Sequence, residues 1–220
     1  MFRIQFTFFL FALSHIPMIA RGQDPVNKDS LIKILFVIDD DDEKFRNRLD
    51  EVEGKYGADS REMEALFAEM KKADSVNLIK VSAILDQYGW LGVDDIGEQG
   101  NTTLFMVIQH SDLDAQLKYL PVMREAVKNG KAKAGQLALL EDRVALEKKE
   151  KQVYGSQVSW NRKTGAYYLA PLIDPDNVDQ RRKEVGLPPL ADYLSGLGIQ
   201  WDPEQYKKDL PSIEAEFFKK

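Results

Sequence analysis

Residues 31–56 read LIKILFVIDDDDEKFRNRLDEVEGKY, and this stretch decides the fold class. Its apolar residues recur at alternating intervals of four and three, which is the period of one buried helix face. The members of that face are Leu31, Leu35, Ile38, Phe45, Leu49, Val52 and Tyr56. One position of the series carries Asp42 instead of an apolar residue. The stretch therefore predicts an amphipathic helix whose buried face is interrupted by a carboxylate.

A second helix of the same rhythm is predicted from about residue 61 to 87, and the turn at 54–60 lets the two helices pack antiparallel. Its interruptions are Asp74 and Asn77, which would then face Asp42. Because burying an unpaired carboxylate costs several kcal/mol, these residues, with Arg46 one turn after Asp42, predict a buried polar seam. The seam is either a polar cleft or a hydrogen-bond network that fixes the helix register.

The rest of the chain predicts more helices and one hairpin. The apolar run 104–108 is predicted as a helix capped by Asn101 or Thr102, and Pro121 is predicted to begin a helix of about nine residues. A further helix is predicted over 134–149.

The periodicity then changes from that of a helix to that of a strand. Residues 153–160 alternate with period two, and 166–172 are apolar and aromatic, so the two segments predict a β-hairpin. Two short helices follow, the second opened by Pro188 and Pro189. The predicted fold is mainly α: a bundle-like domain with an N-terminal helical hairpin and one small β-hairpin near the C-terminal third.

Composition excludes several classes of protein. The 220 residues include no cysteine, and 30 Lys+Arg against 36 Asp+Glu give a net charge of -6. A chain without thiols cannot be a disulfide scaffold or bind zinc through cysteine, and its acidic balance argues against nucleic acid as a partner.

The N-terminal residues 1–22 have the features of a secretory signal peptide: Arg3, an apolar run from Phe6 to Leu13, and small residues before Gln23. The run is shorter than the about 18 residues of a spanning helix, so we expect cleavage near Gly22 and no stable membrane anchor. Removal of two arginines leaves 28 basic and 36 acidic side chains, or -8. We expect a periplasmic or secreted protein with one helical domain over 23–198 and a tail over 199–220.

His110 is the one histidine beyond the predicted signal peptide, and it follows five apolar residues. A buried imidazole needs partners, and Asp112 or Asp114 is near enough in sequence to orient its ring. His110 with Asp112 is therefore a candidate general acid/base pair; the alternative is a core histidine satisfied by a backbone carbonyl.

A second group of polar residues suits a small polar or anionic ligand, because arginine offers fixed, bidentate cationic donors and amides and phenols add neutral ones. The candidates for ligand binding are Gln109, Arg143, Gln152, Tyr154, Gln157, Arg181 and Arg182. The alternative is that the arginines pair with nearby carboxylates and that Tyr154 and the glutamines join the hairpin to the helices.

The run Asp39–Asp42 invites a metal site, but consecutive helical residues point about 100° apart and cannot converge on one ion. We therefore assign no metal ligands. No cofactor fingerprint, phosphate-binding loop or nucleophile elbow is present in the sequence, so we assign no cofactor.

Several motifs resemble, in order, a family of bacterial proteins known as domain of unknown function 6624. They are Gly89-Trp90, Gln109-His110-Ser111-Asp112, Asp142-Arg143-Val144, Gln152 to Gln157, and Asp174-Pro175 through Leu190. The resemblance spans about residues 74–194 and implies a bacterial host and a single domain. It implies no reaction, because the family has no established activity.

We expect an exported protein with a polar ligand pocket in which His110, Asp112, Tyr154, Gln157 and Arg143 converge. Two more specific functions remain open. One is a hydrolase that uses His110 on a small polar or anionic substrate, and the other is a non-catalytic structural or interaction module.

Overall fold

The computed structural model describes residues 27–161 and 165–219. The predicted signal peptide and the tip of the predicted hairpin lie outside these residues. The described elements, in chain order, are α1 Lys28–Arg46, α2 Leu49–Tyr56, α3 Arg61–Tyr88, α4 Val93–Gln109, α5 Leu113–Lys128, α6 Ala134–Glu147, β1 Val158–Asn161, β2 Ala166–Leu169, a 3-10 turn Pro175–Asn177, α7 Val178–Glu184, α8 Leu190–Ser195 and α9 Pro203–Phe217. The prediction of a mainly helical domain with an N-terminal helix pair and one small hairpin is confirmed.

The N-terminal helix pair is built as the periodicity predicts, with one change. The predicted first helix is divided at Asn47 and Arg48, so that α1 and α2 both pack along α3. Asn47 is a poor helix former, and its N–H still bonds the carbonyl of Glu43. The apolar series continues across the break, because Phe45, Leu49 and Val52 pack together with residues of α3.

Two hydrophobic clusters meet α1 at its ends, and Asp42 lies between them. Leu31, Leu35 and Ile38 belong to the main core, which is shared with α3, α4, α5 and α6. Phe45 and Val52 belong to a smaller cluster with α3. The carboxylate therefore separates two apolar regions of one helix face.

Two predicted helix starts are wrong. Helix α4 begins at Val93 after Gly92, turns at Gly97 (φ 74°), and contains Asn101 rather than being capped by it. The buried Asn101 amide instead donates to the carbonyls of Leu91 (2.8 Å) and Lys131 (2.7 Å).

Helix α5 begins at Leu113, with Asp112 as its N-cap, and Pro121 lies in its interior. Pro121 is exposed, so the carbonyl that loses its N–H partner can be solvated.

The hairpin is shorter than predicted. Strands β1 and β2 pair antiparallel with Trp160 opposite Tyr167, whereas residues 153–157 form no strand. A third apolar cluster covers the inner side of β2 and joins it to α7, α8 and α9. In the predicted tail, the hydroxyl of Tyr206 on α9 donates to the carbonyl of Ala170 (2.9 Å) and accepts the N–H of Leu172 (2.7 Å).

Candidate functional site

Three polar residues of the predicted seam meet between α1 and α3. Arg46 donates through Nη1 to a carboxylate oxygen of Asp42 at 3.0 Å. It also donates through Nη2 to both oxygens of Asp74, at 2.9 and 3.1 Å. Asp42 is 4% exposed, so its charge is balanced inside the protein rather than by water. We call Asp42, Arg46, Asp74 and His110 the Asp42 cluster.

His110 joins this cluster from α4, where it is the first residue after the helix. Its Nδ1 lies 3.2 Å from the Asp42 carboxylate. The partner of His110 is therefore 68 residues away in sequence, because α4 packs along α1. The nearby Asp112 does not bond the ring; its carboxylate caps α5 by accepting the N–H of Ala115 at 2.9 Å.

The ring of His110 has one engaged nitrogen and one open nitrogen. Nδ1 bonds Asp42, whereas Nε2 has no hydrogen-bond partner in residues 27–161 and 165–219. His110 lines a cavity of ≈ 280 Å³. The other residues of the cavity wall are Lys71, Asp74, Ser75, Leu78, Ser111 and Asp112. A carboxylate on Nδ1 fixes the tautomer with its proton there, which leaves Nε2 able to accept a proton.

Two further residues selected from the sequence, Asn77 and Gln109, are near this cluster in the chain but are buried in the protein interior. Asn77 is 1% exposed, and its amide nitrogen lies 3.4 Å from the carbonyl of Ile38. Gln109 is 5% exposed, and its backbone carbonyl accepts from Gln116 at 3.2 Å. The side-chain oxygens of Asn77 and Gln109 are buried with no partner within the described part of the chain.

A second buried carboxylate, Asp142 on α6, organises the segment 152–157. Its oxygens accept the backbone N–H groups of Val153 (2.7 Å), Tyr154 (2.9 Å) and Ser156 (2.9 Å). We call Asp142 and residues 152–157 the Asp142 loop. Burial raises the pKa of Asp142, and the three N–H donors act in the opposite direction. Gly155 has φ +69° and sits against Leu190, so a side chain there would be strained and crowded.

Most of the predicted ligand-binding residues hold this loop by hydrogen bonds to backbone groups. Gln152 is fully buried and donates to the carbonyls of Gln157 (3.0 Å) and Ala170 (2.9 Å). Arg182 donates to the carbonyls of Tyr154 (2.7 Å) and Pro188 (2.6 Å), and burial lowers the pKa of Arg182.

Arg181 links the same loop to residues 173 and 174. It donates to the carbonyls of Val153 (2.9 Å), Ile173 (2.8 Å) and Asp174 (2.9 Å). Tyr154 contributes its backbone groups to this network, and burial raises the pKa of its phenol.

Arg143 differs from the other two arginines. It lines a cavity of ≈ 300 Å³ together with Gln157 and Glu147, and its buried Nε has no partner among the residues that the structure describes. Burial lowers the pKa of Arg143, Glu147 raises it, and the charge of Arg46 lowers it further. Arg143 lines a different cavity from His110.

The structure therefore divides the predicted pocket. His110 and Asp112 line one cavity, Arg143 and Gln157 line another, and Tyr154 belongs to the Asp142 loop. The anchoring role of Asp142 was not predicted. Its signal was an aspartate in the buried half of a helix followed by a glycine-containing segment, but backbone donors leave no mark in the sequence.

The four residues of the acidic run 39–42 have different surroundings, and Asp40 is exposed to solvent. Asp39 accepts from Thr103 and Gln99, each at 2.8 Å, Asp41 pairs with Lys80 at 3.6 Å, and Asp42 is buried. Within residues 27–161 and 165–219, no group of three His, Asp or Glu side chains could hold a metal ion.

None of the helices in the described part of the chain is long and apolar enough to cross a membrane.

Comparison with known proteins supports one assignment. The chain matches no curated protein and no solved structure. A family model matches residues 29–201, which include the Asp42 cluster and the Asp142 loop. The chain therefore belongs to the family of unknown function DUF6624.

Proposed function

We propose that the chain is an exported hydrolase in which His110 acts as a general acid/base on a small polar substrate. The observation that carries the proposal is the geometry of one ring: Nδ1 lies 3.2 Å from the buried Asp42 carboxylate, and His110 lines a cavity. A carboxylate behind a histidine, with the other ring nitrogen open, is the arrangement of a general base.

Water is the nucleophile that fits this cavity best. The hydroxyl of Ser111 donates to the carbonyl of Ile108 (2.7 Å), and that of Ser75 donates to the carbonyl of Lys71 (2.8 Å). Both serines of the cavity wall are thus committed to backbone groups. In the proposed reaction, Nε2 takes a proton from water as the water attacks, and returns it to the leaving group.

The surroundings favour a polar substrate of modest size. The cavity carries a lysine, Lys71, beside the carboxylates of Asp74 and Asp112. Asp74 is already held by Arg46 at 2.9 Å, and Oδ1 of Asp112 caps α5, so Lys71 and the second carboxylate oxygen of Asp112 are the charged groups available to a substrate. Mixed charge of this kind suits a zwitterionic or polar ligand better than a strongly anionic one.

The hydrolysis test uses the purified protein with p-nitrophenyl acetate, p-nitrophenyl phosphate and a set of N-acetylated amino acids. We expect turnover of at least one class, and a loss of about 100-fold or more in His110→Ala. His110→Gln keeps a polar group that can form a hydrogen bond with Asp42, so this variant should lose the general base while it retains the fold. Turnover that is equal in wild type and both variants would contradict the proposal.

Export is tested separately, by determining the N-terminus of the protein recovered from the periplasm or medium of a bacterial host. We expect the mature chain to begin at Gln23. Recovery of an uncleaved chain from the cytoplasm would overturn this part of the proposal without touching the hydrolase part.

A non-catalytic binding module is the second candidate, and a specific observation favours it. Gln152, Arg181 and Arg182 each donate hydrogen bonds to backbone carbonyls. A protein whose polar motifs mainly hold its own loops can present a surface instead of a reaction centre. This candidate predicts no turnover of the three substrate classes and no effect of His110→Gln on any ligand bound elsewhere.

A further inference from the structure

An aromatic corner lies on the β-hairpin, far in sequence from His110. Trp160 and Tyr167 are cross-strand partners, and their rings are 5.1 Å apart at an angle of 75°. In this edge-to-face contact the two rings pack against each other, and each ring keeps a face outside the contact that can meet the π-attracted group of a ligand.

This corner is one wall of a cavity of ≈ 390 Å³ whose other wall comes from the α2–α3 region. Phe67 and Met63 of α3 contribute an aromatic ring and a thioether to it. Phe67 is 51% exposed and Tyr167 is 47% exposed. Large aromatic side chains left accessible around one cavity mark a binding surface more often than scattered single ones do.

Two carboxylates stand at the same cavity. Glu53 and Asp59 both line it, and neither forms an ion pair within the described residues. The whole chain is acidic, with a net charge of -6, which raises the local concentration of cations. No lysine, arginine or histidine is among the described residues of the cavity wall.

We propose that this cavity binds a cationic organic group, specifically an alkylated ammonium. Ring faces attract a cation, most strongly when it is poorly hydrated, and a methylated ammonium also buries its methyl groups against Met63 and Phe67. The carboxylates of Glu53 and Asp59 add an electrostatic attraction that a neutral ligand lacks. The cavity volume is within the range of small-molecule sites.

The proposed cation site is independent of the proposed hydrolase site. It shares no lining residue with the His110 cavity. The two proposals therefore fail separately: hydrolysis is read from product formation, and cation binding is read from the signals of Trp160.

The test compares choline with 3,3-dimethylbutan-1-ol, which replaces the charged nitrogen by carbon and keeps the shape. The full chain, labelled with ¹⁵N, has three tryptophans, and Trp160→Phe assigns the indole signal of Trp160. We expect choline to shift that signal saturably and to bind about tenfold more tightly than the carbon analogue. Equal affinity of the two probes, or no saturable shift with choline, would overturn the proposal.

Variants from both walls locate the site. Tyr167→Ala and Phe67→Ala should each weaken choline binding by about five- to tenfold, and Glu53→Gln should weaken choline but not the carbon analogue. Tyr56→Ala is the matched control, because Tyr56 is an exposed tyrosine of α2 outside the cavity wall. Phe67→Ala lies on α3, so it tests the site even if a hairpin variant unfolds. Unchanged choline affinity in Phe67→Ala and Glu53→Gln would show that choline binds outside this cavity, and would overturn the proposal.

Discussion

Two buried aspartates, Asp42 and Asp142, are handled in opposite ways. Asp142 is fully buried and receives three backbone N–H groups from one loop. Asp42 is 4% exposed and is balanced by two side chains, Arg46 and His110. The first carboxylate fixes the path of the chain, whereas the second fixes the orientation of an ionisable ring. Under the proposed function, backbone partners mark the carboxylate that holds structure and side-chain partners mark the one that supports the reaction.

The remaining partners strengthen this contrast. Around Asp142, Gln152 and Arg182 donate to backbone carbonyls, two of which belong to the loop. Around Asp42, Arg46 is shared with Asp74, and His110 lines a cavity. The Asp142 loop is held by several hydrogen bonds to its backbone, whereas the Asp42 cluster is made of side chains at a cavity.

The largest expected effect is the loss of stability in Asp142→Ala. Three backbone N–H groups lose their acceptor, and an unsatisfied buried donor costs about 1–3 kcal/mol. We expect the free energy of unfolding to fall by about 3–5 kcal/mol, measured by urea denaturation followed by circular dichroism.

Asp142→Asn is the matched control for that variant, because its carbonyl oxygen restores one acceptor while its amide nitrogen faces further donors. Its loss of stability should be smaller than that of Asp142→Ala. If Asp142→Ala is no less stable than Asp142→Asn, the three N–H bonds do not hold the loop, and the contrast with Asp42 is lost.

Local periodicity was enough to predict the helix pair and the positions of Asp42 and Asp74 on it, because burial repeats with the helix period. It could not predict that His110 meets Asp42, since the pairing depends on how α4 packs along α1, 68 residues away. Sequence proximity pointed to Asp112, which caps α5 instead. The alternation in 153–160 suggested a strand, but residues 153–157 follow the hydrogen bonds to Asp142 and only Val158 onward pairs with β2.

A moderate effect is expected for Asp42→Asn, and it should separate stability from function. Arg46 keeps Asp74 as a partner, and the new amide oxygen can still accept one hydrogen bond. We therefore expect a loss of about 1–2 kcal/mol in the free energy of unfolding, together with a loss of about tenfold or more in any turnover that depends on His110. A variant that loses 1–2 kcal/mol by the urea measurement, yet retains full turnover, would make the Asp42 cluster structural in the same sense as the Asp142 loop.

The smallest expected effect is a difference in salt dependence between the two aspartates. Asp42 acts through ion pairs with Arg46, which is 20% exposed, so added salt can screen part of their energy. Asp142 acts mainly through neutral N–H groups in a buried site, which ions do not reach. Between about 0.05 and 1 M NaCl, the stability cost of Asp42→Asn should shrink by about 0.3–0.5 kcal/mol, while that of Asp142→Asn should stay constant. Urea is the appropriate denaturant because guanidinium would itself act as salt. If the stability cost falls equally for both variants, salt acts on the whole fold. The difference between a carboxylate held by charged side chains and one held by backbone N–H groups would then have no effect on the free energy of unfolding.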